Sequence, residues 1–326
     1  MSETNELSKQ HHHLAAVDWG TSNSRAYLID EHGKCLDSLS NGDGVLNSKG
    51  KFESILMQHI GHWLNSSGSV TVILFGMIGS QVGWVETPYI ECPVDIKNYA
   101  KHCIQLTAFN KGNCWIVPGV KWTSYDGVID VMRGEELQVI GAYLLNNENE
   151  NEKNKDEGLF CCPGTHNKWV SVKKGQIDHI LTAMTGEVYS LLGKHSILSH
   201  SVNETTEWDE DAFISGLEYS QRTGGLLNHL FSVRTSYISG KHSQNEGSSY
   251  LSGLLIGHEI QSVMTSKSYI NSHSNPHRTS ELAITIIGSS GLCQVYSTAL
   301  TYFNMPNKSV SAQSSVVTGS YSLFNL

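Results

Sequence analysis

Two segments of this chain follow one plan, and any fold must accommodate both. LAAVDWGTSNSRAYLID (residues 14–30) reads as an apolar strand, a small polar turn and a second strand. GLFCCPGTHNKWVSVKKGQIDHIL (residues 158–181) repeats that order about 145 residues further on, close to half of the 326-residue chain. Apolar runs on either side of a small polar turn read as a hairpin. Two such hairpins, each heading one half of the chain, point to an internal duplication, with chance likeness as the competing reading. The length suits two domains, each with its own core.

The remaining pattern agrees with a mixed α/β organisation. After a turn at His32–Gly33, KCLDSLS reads as a third strand of a meander, and KFESILMQHIGHWLN places Phe52, Ile55, Leu56, Ile60, Trp63 and Leu64 on one helical face. VTVILFG is a buried strand leading into a glycine-rich loop, and CWIVPG is another short strand. NNENENEKNKDE (residues 146–157) has no apolar residue and reads as an exposed loop between domains spanning residues 1–148 and 158–326, with 149–157 as the joint. Helices are expected over 249–264 and 291–303, with a strand over 281–288 between them. SVNETTEWDED, SGKHSQNEGSS and SKSYINSHSNPHRTS read as surface loops, and His11–His13 as a solvated tail.

Composition excludes several classes. A formal net charge of −9 argues against a nucleic-acid partner, whose phosphates call for clustered Lys and Arg. The longest apolar stretches, such as VTVILFGMIG, fall well short of the roughly 18–20 residues of a membrane span, so no membrane partner is expected. The first residues carry no apolar core of a signal peptide, and seven cysteines with no C-x-x-C pair suit a reducing cytoplasm.

The turns suggest the chemistry. Gly20 lets a ligand approach the backbone, and Gly20, Thr21, Ser22 and Asn23 together form an anion-binding concavity of N–H groups and hydroxyls. Asp18 would repel a bare phosphate but is intelligible as the holder of a hydrated Mg²⁺ that bridges phosphates. The second turn supplies Gly164, Thr165, His166, Asn167 and Lys168, with no carboxylate. Lys168 is read either as a phosphate counter-charge or as a solvated surface residue, and His166 either as a phosphate contact or as a structural histidine. The chain has no G-x-x-x-x-G-K-[ST], which speaks against a P-loop NTPase.

In order along the chain, DWGTSNSRAYL, GMIGSQVGW…PY…P, VPG, VMRGEE…IGA, PGTHNKWV, MTGE…LL, GLE, FSVR, SGLLIGHE and GSS resemble the 2-dehydro-3-deoxygalactonokinase family, over roughly residues 14–320. The resemblance implies a two-lobed actin-like (ribonuclease H-like) ATPase fold, each lobe a mixed sheet flanked by helices. It also implies transfer of the ATP γ-phosphoryl group to the 6-hydroxyl of a 2-keto-3-deoxy sugar acid, with Mg²⁺ as cofactor. By the same resemblance, TIIGSSGL carries the adenosine motif at Gly288, Ser289, Ser290 and Gly291. GEELQVIGAYLL and SGLLIGHE fall on connecting helices, Gly141 and Ala142 permitting a close crossing. The proton acceptor is expected just before the first of these helices, where Glu135 falls nearest and Glu136 is the runner-up; their competing reading is helix N-terminal carboxylates. Gly79, Ser80, Gln81 and Trp84 border the expected sugar site, and Arg133 offers a fork for the acceptor carboxylate. Arg133 in a structural ion pair and Trp84 as core are the plain alternatives. The C-terminus, TGSYSLFNL, departs from the family pattern, and a shortened last helix is expected.

Three functions remain open on this reading. They are a sugar-acid kinase for the galacto acid or another 2-keto-3-deoxy acid, a phosphoanhydride hydrolase of the same superfold, and a non-catalytic nucleotide switch. The expected protein is a cytoplasmic monomer or homodimer.

Overall fold

Leu14, Ala15, Ala16 and Val17 are all fully buried, so β1 (His12–Trp19) is covered on both faces. β4 (Ser69–Gly76) is also covered on both faces and runs parallel beside it, as an apolar, β-branched strand at a sheet centre should. In this computed structural model, which describes residues 12–66, 69–149, 157–203, 207–266 and 283–324, β1 turns back into β2 (Ser24–Ile29) and β2 into β3 (Cys35–Asn41). The short helix α1 (Val45–Ser48) and the amphipathic α2 (Phe52–Ser66) follow. Phe52, Leu56, Ile60 and Trp63 of α2 enter the core formed with Val17, Trp19 and Leu74.

Short strands β5 (Ile90–Glu91), β6 (Val94–Asp95), β7 (Ile104–Gln105) and β8 (Cys114–Ile116) follow β4, and β8 pairs with it in parallel. The first sheet thus has the order β3-β2-β1-β4-β8-β7. β9 (Val120–Thr123) pairs with β5, and β10 (Ile129–Met132) leads to α3 (Glu136–Asn149).

The second half repeats the plan. β11 (Glu157–Cys162), β12 (Asn167–Lys173) and β13 (Gln176–Ala183) form an antiparallel meander. After α4 (Thr185–His195), α5 (Glu210–Ser220), α6 (Gly225–Ile238) and α7 (Gln244–Thr265), β14 (Ile284–Gly288) returns parallel to β11. α8 (Ser290–Tyr302) then crosses to β15 (Asn307–Ser311), parallel to β14. The order β13-β12-β11-β14-β15 matches β3-β2-β1-β4-β8 strand for strand. Each half therefore has the mixed sheet of the actin-like ATPase fold, and the repeated hairpins are its first two strands.

Contacts divide the chain into two units: residues up to Thr123 with Val131–Asn149 and Gln313 onward, and Ser124–Asp130 with residues from Glu150 to Ala312. The last helix, α9 (Ala312–Phe324), thus counts with the first unit rather than with the lobe expected over 158–326. It has 13 residues and lies against α3 where both helices carry glycine. A Cβ on Gly141 would stand 1.8 Å from the Ser315 carbonyl oxygen, and one on Gly319 would stand 2.2 Å from that of Leu137.

Three other expectations need correction. β1 begins at His12, so His12 and His13 are strand rather than tail. α3 continues to Asn149, into the run expected as loop; residues 150–156 lie outside the described residues, as do 267–282, which take in most of the expected SKSYINSHSNPHRTS loop and the start of the strand expected from 281. SGKHSQNEGSS is largely the start of α7: Ser243 and Glu246 form a reciprocal capping box, and the polar residues that follow are buried because they are bonded. The Ser248 hydroxyl donates to the Asn203 carbonyl at 2.8 Å, and Ser249 Oγ accepts from the Asp209 N–H at 2.9 Å. Likewise α5 starts inside SVNETTEWDED, where the Asp209 side chain caps it by accepting from the Ala212 N–H.

Candidate active site

The parallel register of β1 with β4 sets Asp18 opposite Phe75 and Trp19 opposite Gly76, so the first polar turn opens where both strands end. This edge of an α/β sheet is where ligands bind. The turn is closed by the Gly20 N–H donating to the Asn23 carbonyl at 2.9 Å, leaving Thr21, Ser22 and Asn23 exposed. Gly76 has a positive φ of 87° and lies beside Asp18, since a Cβ there would meet Asp18 Oδ1 at 3.2 Å. Gly134 in turn stacks on Gly76, a Cβ there meeting the Gly76 Cα at 3.2 Å. The two glycines bring the end of β1 and the start of α3 together.

Three carboxylates belong to this corner. Asp18 is half-buried, and burial with the neighbouring Glu135 pushes its pKa up to about 7, against the opposing pull of Arg25 across the hairpin. Glu136 is 1% exposed; its Oε2 accepts the Gly134 N–H at 2.6 Å and its Oε1 has no hydrogen-bond partner. Burial, reinforced by Glu135, pushes Glu136 up to about 8. Glu135 is half-buried at the turn before α3, its carbonyl accepting from the Val139 N–H. Among the described residues no three His, Cys, Asp or Glu side chains gather as a metal-ligand set. With Glu136 shut in on Gly134, Asp18 with Glu135 beside it fits a cation that keeps its own waters and takes phosphate oxygens, which is the behaviour of Mg²⁺.

Next to this corner a cavity of about 330 Å³ is lined by Ser80, Gln81, Glu86, Tyr89 and Arg133. Arg133 is held as a fork: Nη1 donates to Thr87 Oγ1 at 2.6 Å and Nη2 to the Thr87 carbonyl at 2.9 Å. Its guanidinium carbon lies 4.2 Å from the centre of the Tyr89 ring, and its Nε is buried with no partner. Gly79 is the floor of this arrangement, for a Cβ there would meet Thr87 Oγ1 at 2.7 Å and Arg133 Nη1 at 2.8 Å. Arg133 is thus fixed by a threonine and a tyrosine, where an ion pair with a neighbouring glutamate was the alternative. Ser80 turns its hydroxyl onto the Met77 carbonyl at 2.6 Å.

The structure therefore brings Gly79, Ser80, Gln81 and Arg133 together and leaves Trp84 out. Trp84 stacks on Phe52 with ring centres 6.1 Å apart and lines a separate depression of about 880 Å³ with Lys49 and Met57. Its role is packing at the edge of the core. Glu86 and Thr87 escaped the sequence reading, and Tyr89 entered it only as part of the PY of the family pattern; all three lie just beyond the glycine-rich loop.

In the second unit the turn at Gly164, Thr165 and His166 is exposed beside the end of β14. A Cβ on Gly288 would touch Pro163 at 3.4 Å, so this turn and the expected adenosine motif adjoin. Ser289, Ser290 and Gly291 are exposed at the N-terminus of α8, and nothing lies within 4 Å of a Cβ on Gly291. His166 bonds the Glu187 carboxylate through Nε2, and the Thr165 carbonyl accepts the Glu187 N–H at 2.9 Å.

Two expected phosphate ligands are turned inward. Lys168 is 8% exposed, so it is not a solvated surface residue; its Nζ donates to Thr182 Oγ1 at 2.7 Å, and Thr182 bonds Asp130. Asn167 is 1% exposed, with Oδ1 accepting the Gly164 N–H at 2.6 Å and Nδ2 donating to Glu259 and to the Tyr296 hydroxyl. Its amide braces the turn from below instead of facing a ligand. A small polar residue in a turn motif can serve either purpose, and sequence does not separate them.

Two like sheets, each opening a small polar turn at its strand ends, define a chain of the actin-like ATPase fold. The family model described as 2-keto-3-deoxy-galactonokinase matches residues 18–323. The 2-dehydro-3-deoxygalactonokinase of Escherichia coli K12 is 37% identical over 250 residues, covering 76% of this chain and 79% of that one. A Rhizobium meliloti protein bearing the same activity in its name is 30% identical over 311 residues, 94% of this chain and 95% of its own. A Sinorhizobium meliloti crystal structure, also named for this activity, superposes with a TM-score of 0.80 at 30% identity, covering 94% and 96% of the two chains. The chain belongs to the 2-keto-3-deoxy-galactonokinase family. Among the described residues no helix is long and apolar enough to cross a membrane.

Proposed function

We propose that this protein transfers the γ-phosphoryl group of ATP to the 6-hydroxyl of 2-dehydro-3-deoxy-D-galactonate, in galactonate breakdown in the cytoplasm. The observation that carries the reading is the forked Arg133 over the 330 Å³ cavity, next to the carboxylates at the start of α3, in a chain of this family. An acceptor with a C1 carboxylate calls for a rigid cationic fork, and a sugar hydroxyl calls for polar neighbours such as Ser80, Gln81 and Glu86. A phosphoanhydride hydrolase would need neither.

Phosphoryl transfer asks the protein chiefly for positioning and charge neutralisation. The exposed Gly20–Asn23 turn and the Gly164–His166 turn are the proposed phosphate binders, and Gly288–Gly291 at the head of α8 the adenosine binder. Asp18 would hold Mg²⁺ through water; when bound, that ion neutralises phosphate charge. Glu135 is our acceptor for the 6-hydroxyl proton. Glu136 is the weaker choice, because it is shut in and held above neutrality by burial and by Glu135.

The test is ADP release coupled to a panel of 2-keto-3-deoxy sugar acids, with the galacto and gluco epimers compared. Acceptor-dependent ADP with preference for the galacto acid is expected, and Glu135→Gln should lower turnover by roughly 10²-fold or more. Phosphate release without any acceptor would overturn the reading in favour of a hydrolase.

A further inference from the structure

Glu259, on α7, has one buried carboxylate and four donors. Oε2 accepts from Asn167 Nδ2 at 2.9 Å, from Thr185 Oγ1 at 2.5 Å and from the Tyr296 hydroxyl at 2.8 Å. Oε1 accepts from Trp169 Nε1 at 2.7 Å. The side chain is 6% exposed, lies outside the cavity beside Arg133, and is assigned no part in the chemistry above. Such a group is costly to bury unless every lone pair is used, and here a four-way set of donors uses them.

The partners are what give the arrangement meaning. Asn167 closes the second phosphate turn by accepting the Gly164 N–H. Thr185 begins α4, which carries Glu187, the residue bonded to His166 and to the Thr165 carbonyl. Tyr296 lies in α8, whose N-terminus is the adenosine motif. The amide of Asn167 could sit either way round. With an acceptor-only carboxylate beneath it, only one orientation works: NH₂ toward Glu259 and Tyr296, oxygen toward Gly164.

We infer that Glu259 is a positioning residue for nucleotide binding, the shared acceptor that fixes the second phosphate turn and the adenosine helix in one frame. The inference rests on the kinase reading for the identity of the ligand. Glutamine cannot replace the carboxylate. It offers one oxygen, and its NH₂ must face either the Trp169 N–H or the three donors on the other side. Either way a buried donor meets a donor: at Trp169, two residues beyond Asn167 on β12, or at Asn167, Thr185 and Tyr296 themselves, where the Asn167 orientation is released as well.

The experiment compares wild type, Glu259→Gln and Tyr296→Phe, each checked for folding by circular dichroism. ADP binding is measured by calorimetry, and KM is measured separately for ATP and for the acceptor. For Glu259→Gln we expect ADP affinity to fall and KM for ATP to rise, each by tenfold or more, with KM for the acceptor within twofold of wild type. A folded variant with ADP affinity and ATP KM within twofold of wild type would overturn the inference, as would equal losses for both substrates. Should Glu259→Gln not fold, Tyr296→Phe keeps the carboxylate and severs only the tie to α8. It must then raise KM for ATP threefold or more, and an unchanged value overturns the inference. Wild-type protein that binds ADP but phosphorylates no sugar acid would sink the kinase reading alone, since the calorimetric comparison stands without it.

Discussion

At Arg133 the chain places a permanent cation where two bonds to Thr87 and the Tyr89 ring leave it little freedom. Lysine keeps the charge and loses the fork, and bonds of this charged type contribute about 1.5–3 kcal/mol each. Arg133→Lys should therefore raise KM for the sugar acid by tenfold or more while KM for ATP stays near the wild-type value. Steady-state kinetics with each substrate varied in turn will check this, and an equal rise in both would take Arg133 out of the acceptor site. Glu136 makes a different prediction, because its carboxyl is held at about 8 by burial and by Glu135. The unfolded chain releases this proton near pH 4.5, whereas the folded chain keeps it until about pH 8. Between those values the native state binds more protons, so stability must fall as pH rises, by on the order of a few kcal/mol across the window. Glu136→Gln stays neutral throughout and can still accept the Gly134 N–H. Urea unfolding at pH 5, 7 and 9 should show a flatter profile for the variant and a relative gain at pH 9; parallel profiles would mean that Glu136 is not buried as an acid. The sequence ranked Glu135 ahead of Glu136 as proton acceptor by spacing alone, and could not say which of the two is shut in. Which one the helix start buries depends on the Gly134–Gly76 contact, which joins residues far apart in the chain.

Helices α3 and α9 approach so closely that no side chain fits between them at Gly141. An added methyl would meet a backbone carbonyl, which cannot rotate away as a side chain could. Gly141→Ala should destabilise the fold by about 1–3 kcal/mol or more, the usual cost of overpacking. Gly42→Ala is the matched control, since a Cβ there meets nothing within 4 Å. Thermal melts should show a drop for the first and little change for the second, and equal melting temperatures would deny the crossing. Gly141 was readable as a close-approach glycine, but its partner was not. The departure of TGSYSLFNL from the family pattern drew attention to the length of the helix, whereas Ser315 and Gly319 are what bring α9 against α3. The start of α7 was misread for a related reason: its serines are buried by hydrogen bonds, which composition cannot reveal. The strands fared better. β1, β4 and β11 are apolar on both faces, and this signal survives any tertiary context.

Across the whole molecule, the duplication was legible because it is written in local chemistry, strand then small polar turn then strand, and the two sheets repeat one order. The division of labour between the two turns was less so. Both carry glycine, threonine and asparagine, yet only the first has an acid, Asp18, within its own motif, and only the second has its asparagine buried against Glu259. If Asp18 is the metal-side acid, the cation should matter to nucleotide binding as a whole and not to turnover alone. A ligand at one hundred times its Kd stabilises the native state by about 2.7 kcal/mol, provided it does not bind the unfolded chain. ADP with Mg²⁺ should accordingly raise the melting temperature of the wild-type protein by several degrees, and chelation with EDTA should remove most of that rise. Asp18→Asn keeps the shape of the turn and also removes an acid whose ionisation burial disfavours, so the ligand-free variant should be no less stable at neutral pH. Its response to ADP should be small and the same with or without Mg²⁺. A full Mg²⁺-dependent rise in that variant would move the metal to another group, and the two turns would then have to bind phosphate without the asymmetry that Asp18 provides.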